Sequence, residues 1–497
     1  LKELVGGALS FYTAAAAAKT GGVHVFVAED RDAAAYLMND FYNLLDEKQV
    51  YFFPSSYKRS VAYGAEDAQG VVQRTAAMNA VKGFTKGYLI VCTYPEALAE
   101  RVADAETLRR DTIAVKVGDS ISIAVLEDAL VDANFTRVDF VYEPGQYSVR
   151  GGIVDVFSFS ESKPYRIDFF GDEVDSIRRF NISSQLSADK LDRVEIIPNL
   201  NAGDGAAKVS FVQFAGDAAA YWFYDADYVL RRVNDIRRRT LADMERPDEI
   251  DRLMTSRNAL LGDLANCRML ALRDNLPERP ATAAVEFDTA PQPKFNKNFE
   301  MLADDMIRNS LRGYTTYILS ENKVQVERLE NIFHQIGRGQ AVVRPLSVTL
   351  HEGFVDNDLK LCLYTDHQIF DRYQRYRING EIRRDEQMTV AELNQLRPGD
   401  YVVHIDHGVG RFDGLVKINE NGKAHEAIKL VYKDGDVLIV NVHSLHRISR
   451  YKSGDGEPPK VYKLGNGAWQ KLKHATKKAV KDISRELIAL YAKRKAS

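Results

Sequence analysis

The sequence predicts a protein of several domains that combines the α/β and α+β fold classes. Its 497 residues correspond to about three domains, since a domain usually has roughly 150 residues. Helical and strand patterns alternate over the first hundred residues, which is typical of βαβ units around a parallel sheet. Further along, short strands with tight turns dominate two segments, and these indicate smaller modules.

The first segment is predicted to be an α/β domain. We expect helices at residues 4–18 and 33–45, and strands at residues 23–28, 50–53 and 88–92. From about residue 111 to 198 the pattern changes, which predicts an inserted α+β module. Its expected elements are a helix at 121–133 and strands at 112–117, 136–142, 152–159, 164–170 and 173–180. Helical spacing then returns and predicts one long charged helix over residues 225–261.

A proline-rich linker around residues 277–293 precedes a second, smaller α/β domain. In it we expect strands at residues 314–319, 341–343 and 359–365 and a helix at 323–336.

The last fifth of the chain is predicted to be a β-rich module followed by a helix. After residue 400, alternating strands and the turn pairs Asn421-Gly422 and Asp434-Gly435 predict a small β-barrel of about 60 residues. Apolar residues from Trp469 to Leu490 recur at helical spacing, which predicts one amphipathic helix with a lysine-rich face.

The composition excludes several classes of protein. With 67 basic and 70 acidic residues the net charge is −3, so the whole surface cannot be a nucleic-acid coat. Three widely spaced cysteines without a CxxC pattern argue against a disulfide scaffold and a cysteine zinc site. No stretch reaches 18 apolar residues, so we expect no membrane span and a cytoplasmic location. Because the chain begins at Leu1 and ends within a helical pattern, we expect a piece of a longer protein.

Motifs that carry enzyme chemistry are absent or incomplete. Lys19-Thr20 looks like part of a phosphate-binding loop, but Ala18 stands where that loop needs glycine. We therefore expect a helix end at Gly21-Gly22. HxxH pairs occur at His404 and His407 and again at His443 and His446. On a strand such positions face opposite sides, so we expect structural histidines and no metal site.

The strand at residues 164–170 (PYRIDFF) is more informative. Its alternation places Tyr165, Ile167 and Phe169 toward a core, and Arg166, Asp168 and Phe170 on the other face. Arginine and large aromatic residues dominate binding energy at interfaces, and Arg150 lies one strand earlier. The pattern leaves open the alternative that another segment covers Phe170 while Arg166 pairs only with Asp168.

The strand near residue 440 is apolar on both faces. We expect Val437 and Ile439 to face inward and Leu438, Val440 and Val442 to face outward. A small barrel has one interior, so the second apolar face should contact another domain or a partner.

Two motifs resemble a known family. Residues 147–157 (YSVRGGIVDVF) with residues 164–170 are similar to the UvrB-homology region of the bacterial transcription-repair coupling factors (Mfd). Residues 401–412 (YVVHIDHGVGRF) resemble the start of their RNA-polymerase-interacting domain, which is CarD-like and Tudor-like. The order of the motifs is that of the N-terminal half of the family.

The resemblance implies the following arrangement of domains. A degenerate UvrB-like α/β domain is split by an inserted UvrA-binding α+β domain. A small α/β domain of unclear role, a Tudor/SH3-like β-barrel and a linker helix toward an absent translocase follow. The corresponding ranges are 1–108 with 205–285, then 109–200, 297–380, 390–453 and 466–497.

The resemblance also implies partners and site residues. UvrA binding falls on Arg150, Arg166 and Phe170, and binding of the RNA polymerase β subunit falls on Leu438 with Ile428 and Val440 around it. ATP, magnesium and most contacts to double-stranded DNA belong to the absent motor, so we expect no catalytic residues and no cofactor here. A monomer is expected.

The predicted function is that of an adaptor in transcription-coupled nucleotide excision repair, which recruits UvrA and binds RNA polymerase. Two alternatives come from other classes. One is a nucleotide-hydrolysing accessory module of a helicase, which needs a phosphate loop. The other is a DNA-binding module that uses the lysine-rich terminal helix, although such a charge run more commonly marks a solvated face.

Overall fold

A computed structural model describes residues 1–57, 66–182, 187–200, 207–244, 246–272, 280–372, 393, 396–404, 407–420, 423–441, 448–451 and 461. Residues 1–177 and 191–381 form one compact unit, and residues 178–190 and 382–497 form a second. The predicted mixture of α and β structure is confirmed. Among the described residues, no helix has the length and apolar character of a membrane span.

Thirteen α-helices have both ends among the described residues, and all of these lie in the first unit. They are α1 Ala8–Thr20, α2 Arg31–Leu44, α3 Ala68–Gly83, α4 Pro95–Ala99, α5 Ala105–Asp111, α6 Ile123–Asp132, α7 Phe211–Ala215, α8 Ala226–Asp243, α9 Ile250–Leu253, α10 Arg257–Leu264, α11 Phe299–Leu311, α12 Lys323–Gln335 and α13 Asp366–Ile369.

The strands follow in chain order through both units. They are β1 Gly22–Val27, β2 Val50–Phe52, β3 Tyr88–Thr93, β4 Val102–Ala103, β5 Ile113–Lys116, β6 Thr136–Arg137, β7 Gln146–Arg150, β8 Ile153–Val156, β9 Tyr165–Phe170, β10 Glu173–Phe180, β11 Ser187–Leu191, β12 Arg193–Ile196, β13 Lys208–Val209, β14 Ala220–Phe223, β15 Arg268–Ala271, β16 Thr289–Pro291, β17 Thr315–Leu319, β18 Pro345–Leu346, β19 Phe354–Asp356, β20 Leu361–Thr365, β21 Tyr401–His404, β22 Gly408–Glu420, β23 Lys423–Val431, β24 Val437–Asn441 and β25 Ile448–Arg450.

A parallel sheet with the strand order β15-β14-β1-β3-β2 forms the first domain. Its central strands are continuous apolar runs, and Val25, Phe26 and Val91 are fully buried. Such runs are typical of parallel strands covered on both faces. The prediction of a parallel sheet is therefore confirmed, although strand β14 was not predicted.

Three predicted elements are wrong or too long. The single helix at 225–261 is instead α8, α9 and α10, and a short 3₁₀ turn that begins at Pro247 separates the first two. Proline lacks the N–H that a continuing helix needs. The strand at 136–142 shrinks to β6, and the strand at 341–343 is absent because pairing occurs later, in β18.

The inserted module has its own sheet and core. Strands β10, β9, β8, β7 and β6 are neighbours in that order, and the β7–β8 and β8–β9 pairs are antiparallel. Helix α6 contributes Leu126 and Leu130 to the same core as Tyr147 and Ile167. Packing against α6 therefore determines which side chains of the sheet face the core. The alternate side chains of the same strands lie on the opposite face.

The second α/β piece of this unit has the sheet order β16-β19-β20-β17-β18. Its backbone at residues 350–353 lies against the start of α1. A Cβ placed on Gly7 would come within 2.1 Å of the Glu352 carbonyl oxygen. Asn43 also donates a hydrogen bond to the carbonyl oxygen of Thr349, at 2.9 Å.

The described part of the second unit contains an antiparallel sheet with the order β24-β23-β22-β21-β25. The pairing of β22 with β23 shifts register between Phe412 and Leu415. Strands β24 and β25 are the edges of this sheet among the described residues. The predicted terminal helix lies outside the described residues.

Candidate partner-binding surfaces

Strand β9 has the two faces that its alternation predicts. Tyr165 and Ile167 are buried in the core of the inserted module, and Phe169 packs against that core. Arg166, Asp168 and Phe170 therefore lie on the opposite face.

Phe170 is the most exposed residue of this face. Its side chain is 83% exposed at the end of β9, next to Gly171, whose φ of 63° lets the hairpin turn. The alternative that another segment covers Phe170 is thus wrong for the described residues. A large aromatic side chain at this exposed position is of the residue type that contributes most energy at interfaces.

Arg166 pairs with a residue that the sequence reasoning missed. Its Nε and Nη2 donate to the two carboxylate oxygens of Asp155, at 2.7 and 2.8 Å. This hydrogen bonding is the main cause that raises the pKa of the Arg166 guanidinium. Asp168 accepts a hydrogen bond from the Ser176 hydroxyl at 2.9 Å and also acts electrostatically on Arg166. The alternative that Arg166 pairs only with Asp168 is therefore wrong.

Arg150 joins the same cluster from β7. Its Nη2 donates to Asp155 Oδ2, and its guanidinium carbon lies 4.8 Å from the centre of the Phe140 ring. The structure thus brings both predicted arginines together around one buried carboxylate. Alternation in residues 153–156 could have placed Asp155 on the arginine face, because Val154 faces the core.

The faces of β24 are the reverse of those predicted. Val437 and Ile439 are exposed, whereas Val440 is buried and Leu438 is half-buried. The reason is the pairing with β23, which sets Leu438 opposite the fully buried Leu430. The inward assignment of Val437 and Ile439 is therefore wrong, although both faces are apolar as predicted.

This reversal changes the surroundings of the predicted polymerase site. Ile428 is buried opposite Val440, so both side chains lie on the buried face of the sheet. Among the described residues β24 is an edge strand, and its outward face carries Val437 and Ile439. The polymerase-binding role of Leu438, Ile428 and Val440 stays a prediction.

The apparent phosphate motif is a helix end. Lys19 and Thr20 form the last turn of α1, and Gly21 ends the helix with a φ of 65°. A helix C-terminus carries a partial negative charge, which disfavours phosphate.

One of the two histidine pairs lies among the described residues. The buried His404 has its ring centre 4.8 Å from that of His407, so the expectation that these two side chains face opposite sides is wrong: His407 lies beyond the end of β21 and does not continue its alternation. His443 and His446 lie outside the described residues. Within the described ranges no group of three or more histidine, cysteine, aspartate or glutamate side chains could hold a metal ion.

Two family models match the chain in the regions of these surfaces. The UvrB interaction domain matches residues 113–201, which include Arg150, Arg166 and Phe170. The CarD-like/TRCF RID domain matches residues 396–452, which include β24.

Curated relatives match far more of the chain. The transcription-repair-coupling factor of Bacillus subtilis (strain 168) is 25% identical over 100% of this chain and 49% of that protein. The factor of Escherichia coli (strain K12) is 24% identical with the same coverage, and that of Staphylococcus haemolyticus is 25% identical over 93% of this chain. The chain spans about half the length of the curated relatives that it matches. The resemblance predicted from the motifs is confirmed: this chain is similar to the transcription-repair coupling factors along its length and matches the models of the UvrB interaction domain and the CarD-like/TRCF RID domain.

Proposed function

We propose that this chain is an adaptor of transcription-coupled nucleotide excision repair. It binds UvrA through the inserted module and the RNA polymerase β subunit through the sheet of the second unit. The observation that carries the proposal is the arginine pair around Asp155 with the exposed Phe170 nearby, inside the region matched by the UvrB interaction domain. Arginine and exposed aromatic side chains are the residue types that dominate interface energies.

The UvrA contact is tested with Arg166→Ala and Phe170→Ala. Each should weaken binding of purified UvrA, measured by calorimetry, by about 1–4 kcal/mol, because truncation of a central interface residue has that cost. Val125→Ala is a matched control, since Val125 is a 56% exposed apolar residue of α6 in the same module. Unchanged UvrA affinity in a folded Arg166→Ala, Phe170→Ala double variant contradicts the assignment.

The polymerase contact is proposed for Leu438 on edge strand β24. Ile428 and Val440, which are buried, hold this strand in place. An edge strand offers unpaired backbone groups, and the exposed Val437 and Ile439 add apolar surface. Ile439→Lys should abolish capture of the β subunit while the melting temperature of the chain stays within a few degrees. Retained capture by this variant refutes a contact through the exposed face of β24, and retained capture by a folded Leu438→Ala variant refutes the role of Leu438.

We also propose the finer arrangement that the resemblance implies. Residues 1–108 and 205–285 form a degenerate UvrB-like domain, residues 297–380 a small α/β domain, and residues 390–453 a Tudor/SH3-like barrel. The chain acts as a monomer in the cytoplasm, without a cofactor. ATP, magnesium and most double-stranded DNA contacts belong to a motor outside residues 1–497, so a purified preparation should not hydrolyse ATP.

A further inference from the structure

Asp155 binds both arginines of the proposed UvrA surface and is more deeply buried than either of them. Its side chain is 2% exposed, while those of Arg166 and Arg150 are 15% and 36% exposed. The carboxylate is therefore the deepest group of the cluster and Arg150 is the outermost. A buried carboxylate is retained at low cost only when charged donors satisfy both of its oxygens, which these arginines do.

Three adjacent strands hold this cluster in place. Asp155 on β8 is the direct cross-strand partner of Arg166 on β9. Arg150 on β7 pairs with Ile153, so it lies diagonal to Asp155 and within reach of a long side chain. The Phe140 ring lies against the Arg150 guanidinium. Both guanidinium groups are thus fixed before any partner binds.

The arrangement leaves donors for a partner. Arg150 uses Nη2 for Asp155, and the described residues give its Nε and Nη1 no hydrogen bond. The two guanidinium groups share the single carboxylate of Asp155, and Asp168 also acts electrostatically on Arg166. A guanidinium with an open pair of N–H groups binds a carboxylate in a forked geometry, and a fixed side chain loses little entropy when it binds.

We propose that Asp155 is a positioning residue of the UvrA surface, which holds Arg150 and Arg166 so that Arg150 can bind a carboxylate of the partner. This inference rests on the proposed UvrA binding. Asp155 does not touch the partner and acts through the two arginines.

Asp155→Asn is the first test, because asparagine keeps the size of the side chain and removes its charge. The affinity for UvrA should fall about tenfold or more, the range of an interface residue of central importance. Asp132→Asn is the matched control, since it makes the same change at an exposed carboxylate of α6, which packs on the core face of the sheet, and it should change affinity by less than about threefold. Tighter binding by Asp155→Asn overturns the proposal, because Asp155 would then only neutralise the arginines.

The coupling of Asp155 to Arg150 is measured with a double-mutant cycle. If Asp155 acts through Arg150, the double variant Asp155→Asn, Arg150→Ala should bind within about threefold of the weaker single variant. Losses that multiply as for independent sites contradict the positioning role.

A measurement on the unaltered chain covers the case in which Asp155→Asn does not fold. The Nε–Hε groups of Arg150 and Arg166 should give rigid NMR signals in the free chain, with high order parameters that stay unchanged when UvrA binds. Side chains that are mobile until UvrA binds contradict the proposal.

Two outcomes separate the proposed function from this inference. If the unaltered chain does not bind UvrA at all, the proposed function fails. If Arg166→Ala weakens binding and Asp155→Asn does not, only this inference fails.

Discussion

Asp40 is a buried carboxyl group whose environment favours the protonated form. Burial raises its pKa to about 7, and the nearby charge of Glu352 acts in the same direction. Two hydrogen bonds oppose this rise: the Ser10 hydroxyl donates to Oδ2 and the His351 backbone N–H donates to Oδ1, both at 2.6 Å. In the unfolded chain the same group has a pKa near 4.

The difference between the two states predicts how stability depends on pH. Between about pH 4 and 7 the folded state binds more protons at Asp40 than the unfolded state, so its contribution to stability falls as pH rises. Asp40→Asn should remove this fall and stabilise the chain at pH 8 by roughly 2–4 kcal/mol relative to the unaltered chain. Calorimetric unfolding at pH 5 and pH 8 measures the change. Asp175→Asn, at an exposed carboxylate of β10, should leave the pH dependence as it is.

The sequence predicts which face of the sheet Arg150, Arg166 and Phe170 occupy. Side chains alternate between the two faces of a strand, and the apolar residues identify the face toward the core. The sequence does not predict the partner of the arginines. Asp155 becomes their acceptor through the register of β7, β8 and β9, which depends on how three strands align. Two residues of opposite charge on one face are compatible with several registers.

Gly7, which precedes helix α1, is a glycine whose role is set by tertiary packing. Gly7 is close to the carbonyl oxygen of Glu352, so a side chain at this position has no space. Its φ of −65° suits any residue. The glycine is therefore required by the close approach of two backbone segments, and no phosphate is needed to account for it.

Gly7→Ala should destabilise the chain by about 1–3 kcal/mol, since the Cβ would lie 2.1 Å from that oxygen unless the backbone moves. Chemical denaturation measures the loss. Gly262→Ala is the control, because Gly262 lies within α10 with nothing within 4 Å of the new Cβ. It should be neutral or stabilising by about 0.5–1 kcal/mol. A Gly7→Ala variant as stable as the Gly262→Ala variant contradicts the close approach.

Helices and strands with a clear hydrophobic periodicity were predicted well. Elements whose position depends on pairing with strands distant in sequence were not. Strand β10 and helix α12 match their predictions to within a residue, because turns or caps mark both ends. Strand β14 was missed, since its run Ala-Tyr-Trp-Phe is short and apolar without alternation. The faces of β24 were assigned wrongly for a related reason: both faces are apolar, so only pairing with β23 decides which one is buried.

For the whole molecule, the two proposed contacts belong to different compact units. Phe170→Ala should weaken UvrA binding and leave polymerase β-subunit binding unchanged, and Ile439→Lys should do the reverse. A variant with both changes should show both losses at their single-variant size, because changes at sites without shared contacts act independently. Binding of each partner to each variant in the absence of the other gives the comparison. An effect of Phe170→Ala on β-subunit binding contradicts this separation.

The position of β14 beside β1 has a consequence for synthesis on the ribosome. The two strands pair, yet about 190 residues separate them, including the whole inserted module. At about 5–20 residues per second, the ribosome emits β14 roughly 10–40 s after β1. During this interval β1 has no partner on its β14 side, and this exposed edge needs protection from aggregation. The strands of the inserted module are close together in sequence. This module can therefore finish folding while the parallel sheet of the first domain is still incomplete.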